Sequence, residues 1–396
     1  MTKHRILRAR QVRHCTNEAP HNQENARHKM ILLRAALCGC LTLGTAGLFT
    51  PAVSAAPVKP RPHRPDMRNV GTRPVGFIRD RVITRRRGVA HAASLIIPDN
   101  ASRDTYTANG MNIDVAVSPS YTTNDSTNQA WAQFFADLPQ SSDADGMTVY
   151  IAPPDEVKEQ CGSTSVACYW HGDKTMAIPG VDPTDSGGEP LEEVAMHEFG
   201  HLIADQRSND PWPAIDFGPK RWANWLRVCG NTRSKALFPG NEGDNYSLNP
   251  GEGWAETYRV ASGGSKSLWA IVDNYFKPDS KTSNLALTDV TNPWRGNTRR
   301  TYRGSFSKRG SRTKTIRLPA TVDGVVRVRL TSSRGLDVDI QILNRNGRSR
   351  LGHSERYGTK ESIDTTACDA GGSVLLRLYR YSGTGTYNIT TTLPLG

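Results

Sequence analysis

The stretch 187–206, GGEPLEEVAMHEFGHLIADQ, decides how this chain reads. It holds His197, Glu198, Phe199, Gly200 and His201 in the order H-E-x-x-H. Five positions recur by chance in long chains, so the surroundings must settle the reading. Pro190 suits a first helical turn, Leu191, Val194, Leu202 and Ile203 form an apolar face, and Gly200 is the one helix-weakening residue in between. On a helix of 3.6 residues per turn His197 and His201 stand one turn apart, so both imidazoles can reach one Zn²⁺. Glu198 is turned by about 100° from His197, beside the metal, where it can take a proton from an attacking water. The plain alternative is an amphipathic helix whose histidines are only solvated or packed.

A catalytic zinc needs a third protein ligand. Only His353 follows His201, and it lies in a stretch of different texture. Ala204 and Arg207 stand where extended H-E-x-x-H sites carry a Gly and a third His. A carboxylate is therefore expected, and NPGEGWAETYRVASGG (249–264) offers two. Asn249 can cap a helix, Pro250 suits its first turn, Gly263 or Gly264 can stop it, and Glu252 and Glu256 fall one turn apart. One of the pair binds the metal while the other orients a ligand histidine through its free N–H. Glu252 is assigned to the metal and Glu256 to the histidine, with the reverse left open. For a donor to the oxygen that gains charge in acyl transfer, Tyr246 is the candidate and Tyr258 the second choice.

H-E-x-x-H followed about fifty residues later by E-x-x-x-E resembles the gluzincin clan of zinc metallopeptidases. In that clan the first glutamate of the second motif is the third ligand, which favours Glu252. CGSTSVACYW, the HEFGH helix, RWANWLRVCG and FPGNEGDNYSLNPGEGWAETYR look like secreted actinobacterial metallopeptidases. The closing RLYRYSGTGTYNITTTL resembles the bacterial pre-peptidase C-terminal domain, a small β-sandwich appended to exported peptidases. The resemblance covers roughly 105–396 and implies an α+β zincin-like catalytic domain followed by an all-β sandwich domain, with Zn²⁺ as cofactor and protein or peptide as substrate.

Periodicity agrees with two textures. MNIDVAV (111–117) alternates as a half-buried strand does, Ser126 can cap a helix carrying Trp131, Phe134, Phe135 and Leu138, and MTVYI, ACYW and TMAI read as further strands. After Gly304, TKTIRL, GVVRVRL, DVDIQIL, SVLLRLYR and TYNITTTL alternate between Gly, Asn, Asp and Ser turns. The expected catalytic part spans 105–300 and the β part 305–396.

The net charge of +12 would suggest nucleic acid as a partner. Its distribution argues otherwise: residues 1–90 hold 18 Lys and Arg against 4 Asp and Glu, residues 91–300 hold 16 against 27, and residues 301–396 hold 16 against 7. The middle of the chain is acidic, so nucleic-acid binding is not expected. Residues 30–56 run from an apolar segment into small residues ending at Ala55 and Ala56, the order of a secretory signal. Residues 1–56 are read as a signal with a long basic leader, Met30 being an alternative start, and the apolar run is too short for a stable membrane span. Residues 57–104 read as a basic Pro/Arg-rich linker or propeptide, with a candidate processing site at Arg85, Arg86 and Arg87. In an exported chain disulfides are permitted. Cys161 and Cys168 are expected to pair across a turn, while no pairing is assigned to Cys229 and Cys368. The competing functions are a surface- or polymer-binding protein whose zinc site is structural or degenerate, and a zinc hydrolase acting on other acyl substrates. Oligomeric state is not legible.

Overall fold

Alternation in MNIDVAV sets up the sheet that carries the site. Six strands pair in the order β1 (Val82–Ile83), β5 (Cys168–Trp170), β6 (Thr175–Pro179), β4 (Met147–Ala152), β3 (Met111–Val117) and β2 (Ser102–Ala108). The computed structural model describes residues 80–83, 97–122, 125–180, 191–266 and 272–396. The export signal read at 1–56 and the Arg85–Arg87 run lie outside the described residues. Strands β3, β4 and β6 run parallel, β2 is antiparallel to β3, β5 is antiparallel to β6, and β1 runs parallel to β5.

Helices cover both faces of this sheet, which is why β4 is buried along its whole length. Ile113, Val115, Val117 and Val149 face α1 (Asp125–Asp137) and α3 (Leu191–Asp205). Ala116, Tyr150 and Ala152 pack on the other side with Val157 of α2 (Pro154–Cys161). Ser126 lies in the first turn of α1, which begins two residues earlier than a cap at that position would place it. The disulfide expected between Cys161 and Cys168 is present and joins the end of α2 to β5.

After α3 the chain forms the short hairpin β7 (Ser208–Asn209) and β8 (Trp212–Pro213), then α4 (Ala214–Phe217), α5 (Lys220–Trp225) and α6 (Val228–Arg233). Helices α7 (Pro250–Ala261) and α8 (Ser280–Thr291) complete this half. Its core centres on the fully buried Trp222 and Trp254, set edge to face, with Phe276 stacked on Trp222.

The remaining strands are β9 (Thr298–Phe306), β10 (Thr313–Ala320), β11 (Gly324–Ser332), β12 (Asp337–Leu343), β13 (Arg350–Ser354), β14 (Lys360–Ala367), β15 (Gly372–Ser382) and β16 (Gly385–Leu393). They form two four-stranded sheets, β10-β15-β12-β13 and β14-β11-β16-β9. Val326, Val328, Leu330 and Ile389 of one sheet share a core with Ile340, Ile342, Leu376 and Leu378 of the other, the arrangement of a β-sandwich. The chain is thus mixed α/β with several sheets, and the sandwich follows the helical half.

Covalent and polar ties join sandwich to helices. Cys229 of α6 is bonded to Cys368, and beside it Arg227 donates to both carboxylate oxygens of Asp369 at 2.7 and 3.0 Å. Lys220 is buried, donates to the carbonyls of Asp210 (2.8 Å) and Asp323 (3.1 Å), and lies over the Trp294 ring. Among the described residues no helix is long and apolar enough to cross a membrane.

Candidate metal centre

Helix α3 carries the H-E-x-x-H residues in its middle, and every residue from Val194 to Ala204 is buried. Glu192 and Glu193 occupy its first turn, where negative charge complements the helix dipole. Helix α7 begins as its residues predict: the Asn249 side chain accepts from the N–H of Gly251, and Pro250 fills the first helical position. The helices lie against each other, and the Trp254 indole N–H donates to the carbonyl of Gly200 at 2.9 Å. This contact brings Glu252 of α7 opposite His197 and His201 of α3.

Glu252 Oε2 lies 3.3 Å from His197 Nε2 and 3.4 Å from His201 Nε2. A fourth donor completes the group. Asp80, two residues before β1, places Oδ2 3.1 Å from His197 Nε2 and 3.0 Å from His201 Nε2. One ligand atom from each of Asp80, His197, His201 and Glu252 lies within 4.8 Å of all the others, and all four residues are buried. Asp80 comes from the stretch read as linker or propeptide. No periodicity marks it, because β1 is two residues long.

The other named residues flank this group. Glu256 Oε2 faces His197 Nδ1 at 3.8 Å, and Arg259 grips the Glu256 carboxylate with Nε and Nη2 at 2.8 and 2.7 Å. Arg259 also pairs with Glu193 on α3. Tyr246 donates its hydroxyl to Glu252 Oε2 at 2.9 Å and so holds a member of the group. Tyr258 instead donates to the carbonyl of Pro139, in the core. Arg207, where extended motifs carry a third histidine, is a structural residue that binds both oxygens of Asp143 at 2.7 and 2.8 Å. His353 sits on β13 of the sandwich.

Two further acids escaped the sequence reading. Asp205, the last residue of α3, accepts from Tyr169 and from the N–H of Gly172 and pairs with His171, tying the turn after β5 to the helix. Glu242, half-buried, lies close enough to Glu252 and Asp80 that loss of water and their charges push its carboxyl up to about 9.

Electrostatics follow from four charged groups crowded out of water. Burial and the neighbouring Asp80 charge hold the Glu198 carboxyl well above the usual carboxylate range. Burial opposes protonation of His197, but the Asp80 carboxylate outweighs it and raises the imidazole well above its ordinary value. His201 is raised to about 10, because Glu252 and Asp80 together outweigh its burial. Burial would raise Glu256, yet the Arg259 hydrogen bonds overcome this and lower it.

These residues fit a divalent cation. Two imidazole nitrogens and two carboxylate oxygens form a donor set suited to zinc and to several other transition metals. Asp80 Oδ1, Glu252 Oε1, His201 Nδ1 and both oxygens of Glu198 are buried with no hydrogen-bond partner, a cost that a bound ion and the groups it gathers would offset.

No family model matches the chain, and no curated protein matches it. Solved structures similar to part of it include the pre-peptidase C-terminal domain of collagenase from Bacillus anthracis, at 18% identity and a TM-score of 0.21, over 24% of this chain and 88% of that one. They also include the Yersinia pseudotuberculosis-derived mitogen, at 17% identity and a TM-score of 0.21, over 24% of this chain and 86% of that one. Such scores leave the functional reading to the site itself.

Proposed function

We propose that this chain is a secreted zinc-dependent endopeptidase, built as a zincin-like α+β domain with an appended pre-peptidase-type sandwich. The observation that carries the reading is Glu198, fully buried, with both carboxylate oxygens unpartnered, next to two histidines and a glutamate that converge on one point. A structural metal site has no use for a buried acid of that kind. His197, His201 and Glu252 would hold the ion, and bound zinc would supply a Lewis acid that polarises a carbonyl and makes water a better nucleophile.

The chain's own residues then handle protons and geometry. Glu198 takes one proton from water as the water oxygen bonds to the scissile carbonyl carbon. It passes that proton to the departing nitrogen as the C–N bond breaks, leaving an amine and a carboxylic acid that carries the second water proton. Glu256, held by Arg259, fixes the ring of His197, and Tyr246 fixes Glu252. With its hydroxyl given to Glu252, Tyr246 positions a ligand in this arrangement rather than serving the substrate oxygen.

One observation favours the competing reading of a binding protein with a structural metal. With Asp80 counted, the donor set has four members, the number found in closed structural sites. Assays on a mixed library of unstructured peptides separate the two, using zinc-loaded wild type, Asp80→Ala and Asp80→Ala/Glu198→Gln, with and without chelator. The peptidase reading expects chelator-sensitive cleavage that falls about 10² to 10⁴-fold when Glu198 becomes Gln, with zinc content unchanged. Zinc-loaded protein that cleaves no peptide in any form would overturn it.

A further inference from the structure

The position of Asp80 in the chain is at odds with a permanent ligand. It lies apart from both metal-site helices, 117 residues before His197, at the edge of a leader stretch with 18 basic and 4 acidic residues in its first ninety. Its hold on the fold is one short strand, in which Val82 is buried in the main core and bonds Glu242 through its backbone while Ile83 packs at the core's edge. The strand β1 it leads into has two residues, and its backbone bonds to β5 run from the N–H of Tyr169 to the Arg81 carbonyl (3.1 Å) and from the N–H of His171 to the Ile83 carbonyl (3.1 Å). Arg81 adds one contact, donating to the Cys161 carbonyl at 3.3 Å. Yet Asp80 is 2% exposed and makes the shortest approaches to both histidines.

We propose that residues 80–83 are a latency segment of this same site: Asp80 takes the fourth position on the metal, and β1 lies along the free edge of β5, so that water and substrate are excluded until the segment leaves. This rests on the peptidase reading for what the opened site does, but the blocked position is a separate property of the metal group. A catalytic zinc keeps one position open, whereas four protein donors close it. Nothing else in the group is dispensable. His197 and His201 sit in the middle of α3 and Glu252 in the first turn of α7, so neither can leave without unfolding a core helix.

Release follows from chain connectivity. While the chain is whole, Asp80 is tethered to β2, and its effective concentration at the metal is about millimolar. Hydrolysis of one peptide bond anywhere between Ile83 and Ile97, consuming one water, removes that tether. The two-residue strand is then too short to hold the segment. Arg85, Arg86 and Arg87 fall in that interval of the sequence and make it a substrate for a trypsin-like protease.

The test loads the full-length protein with Co²⁺ and follows its visible spectrum while acetohydroxamate is added. Wild type, Asp80→Ala and the more conservative Asp80→Asn are compared, together with wild type nicked by trypsin at a site mapped by mass. Latency predicts that acetohydroxamate changes the spectrum of the nicked protein and of Asp80→Ala. It also predicts an affinity at least about tenfold weaker for intact wild type, the factor set by an open fraction of a tenth or less. Equal affinity in intact wild type and Asp80→Ala, both holding one Co²⁺, would overturn the proposal. So would loss of the metal from both Asp80 variants and from the nicked protein, since Asp80 would then be a permanent ligand. A site that opens to acetohydroxamate while no form cleaves a peptide would leave latency standing and remove the peptidase reading.

Discussion

Gly200 packs its α-carbon directly on the backbone of Ala255. A Cβ at Gly200 would lie 2.9 Å from Ala255 Cα and 3.2 Å from its carbonyl oxygen. The glycine inside H-E-F-G-H, which weakens the helix taken alone, is what lets α3 and α7 approach closely enough for Glu252 to meet both histidines. Backbone on the far side cannot yield as a flexible side chain would. Gly200→Ala gains helix propensity of about 1 kcal/mol but forces the helices apart at an overpacking cost of typically about 1–3 kcal/mol. The expected result is a lower melting temperature and weaker metal binding, checked by thermal unfolding and by competition with a chromophoric chelator. A variant that is more stable and binds metal normally would show that the contact is slack.

Lys220 gives the protein a pH signature on the alkaline side. Burial lowers its pKa from 10.5 to about 8, against the pull of Asp323, Asp210 and Asp289. The folded state therefore holds fewer protons than the unfolded chain between about pH 8 and 10.5, so stability from this group rises with pH through that window. Below it, the folded protein bears the full cost of a buried ammonium. A shift of that size is on the order of 3 kcal/mol. Lys220→Met removes the titration, so wild type should gain stability relative to the variant as pH rises from 8 to 10.5, measured by urea unfolding. A pH-independent difference between the two would exclude the buried ammonium as its source.

Cys229 and Cys368 stand 139 residues apart and Cys161 and Cys168 only 7. In the chain-entropy view the longer loop stabilises by about 5 kcal/mol and the shorter by about 2.5 kcal/mol. Replacing both cysteines of the long pair with Ser should therefore cost more in denaturant unfolding than replacing both of the short pair. It should also loosen the sandwich from α6, exposing the Arg227–Asp369 pair. If the sandwich is dispensable for chemistry, this variant keeps its rate on small peptides while losing stability. Equal costs for the two pairs would show that the long loop is already restrained by the Lys220 and Trp294 contacts.

How much of this was legible beforehand depends on the range of each signal. The cap at Asn249, the proline at 250 and the alternation from TKTIRL to TYNITTTL are local, and the corresponding helix start and strands are where those residues point. The pairing across a turn of Cys161 with Cys168 is local too. Asp80 is not: one aspartate in a Pro/Arg-rich stretch carries no period, and only the fold of β5 gives it a place. The same holds for Cys229 and Cys368, since four cysteines allow three pairings until the sandwich is docked. The hydroxyl of Tyr246 was expected near the site on its six-residue spacing to Glu252, but which atom it serves is set by the 3-10 turn Tyr246–Leu248 that precedes α7. Arg259 gave no signal at all, because a lone arginine late in an amphipathic helix normally faces water.

That arginine carries the last prediction. Arg259 is fully buried, binds Glu256 on its own helix and reaches Glu193 on α3, so one cation balances two carboxylates between the helices that carry the candidate metal ligands. Removing it leaves Glu256 buried without its partner, and breaking a buried pair from one side costs about 3–5 kcal/mol. Glu256 would then take up a proton, because burial alone raises a carboxyl. A neutral Glu256 gives less electrostatic support to the His197 ring 3.8 Å away. Arg259→Met should therefore lower stability by that amount and weaken metal affinity as well. Glu256→Gln should weaken metal affinity by about 10 to 100-fold, as loss of a ligand's orienting partner does, with a smaller loss of stability because no unpaired carboxylate remains at that position. The double variant Arg259→Met/Glu256→Gln decides between them. If the cost of Arg259→Met comes from the stranded carboxylate, the double variant is more stable than Arg259→Met alone. If it is less stable, Arg259 acts mainly by packing α7 against α3, and the orientation of His197 has another source.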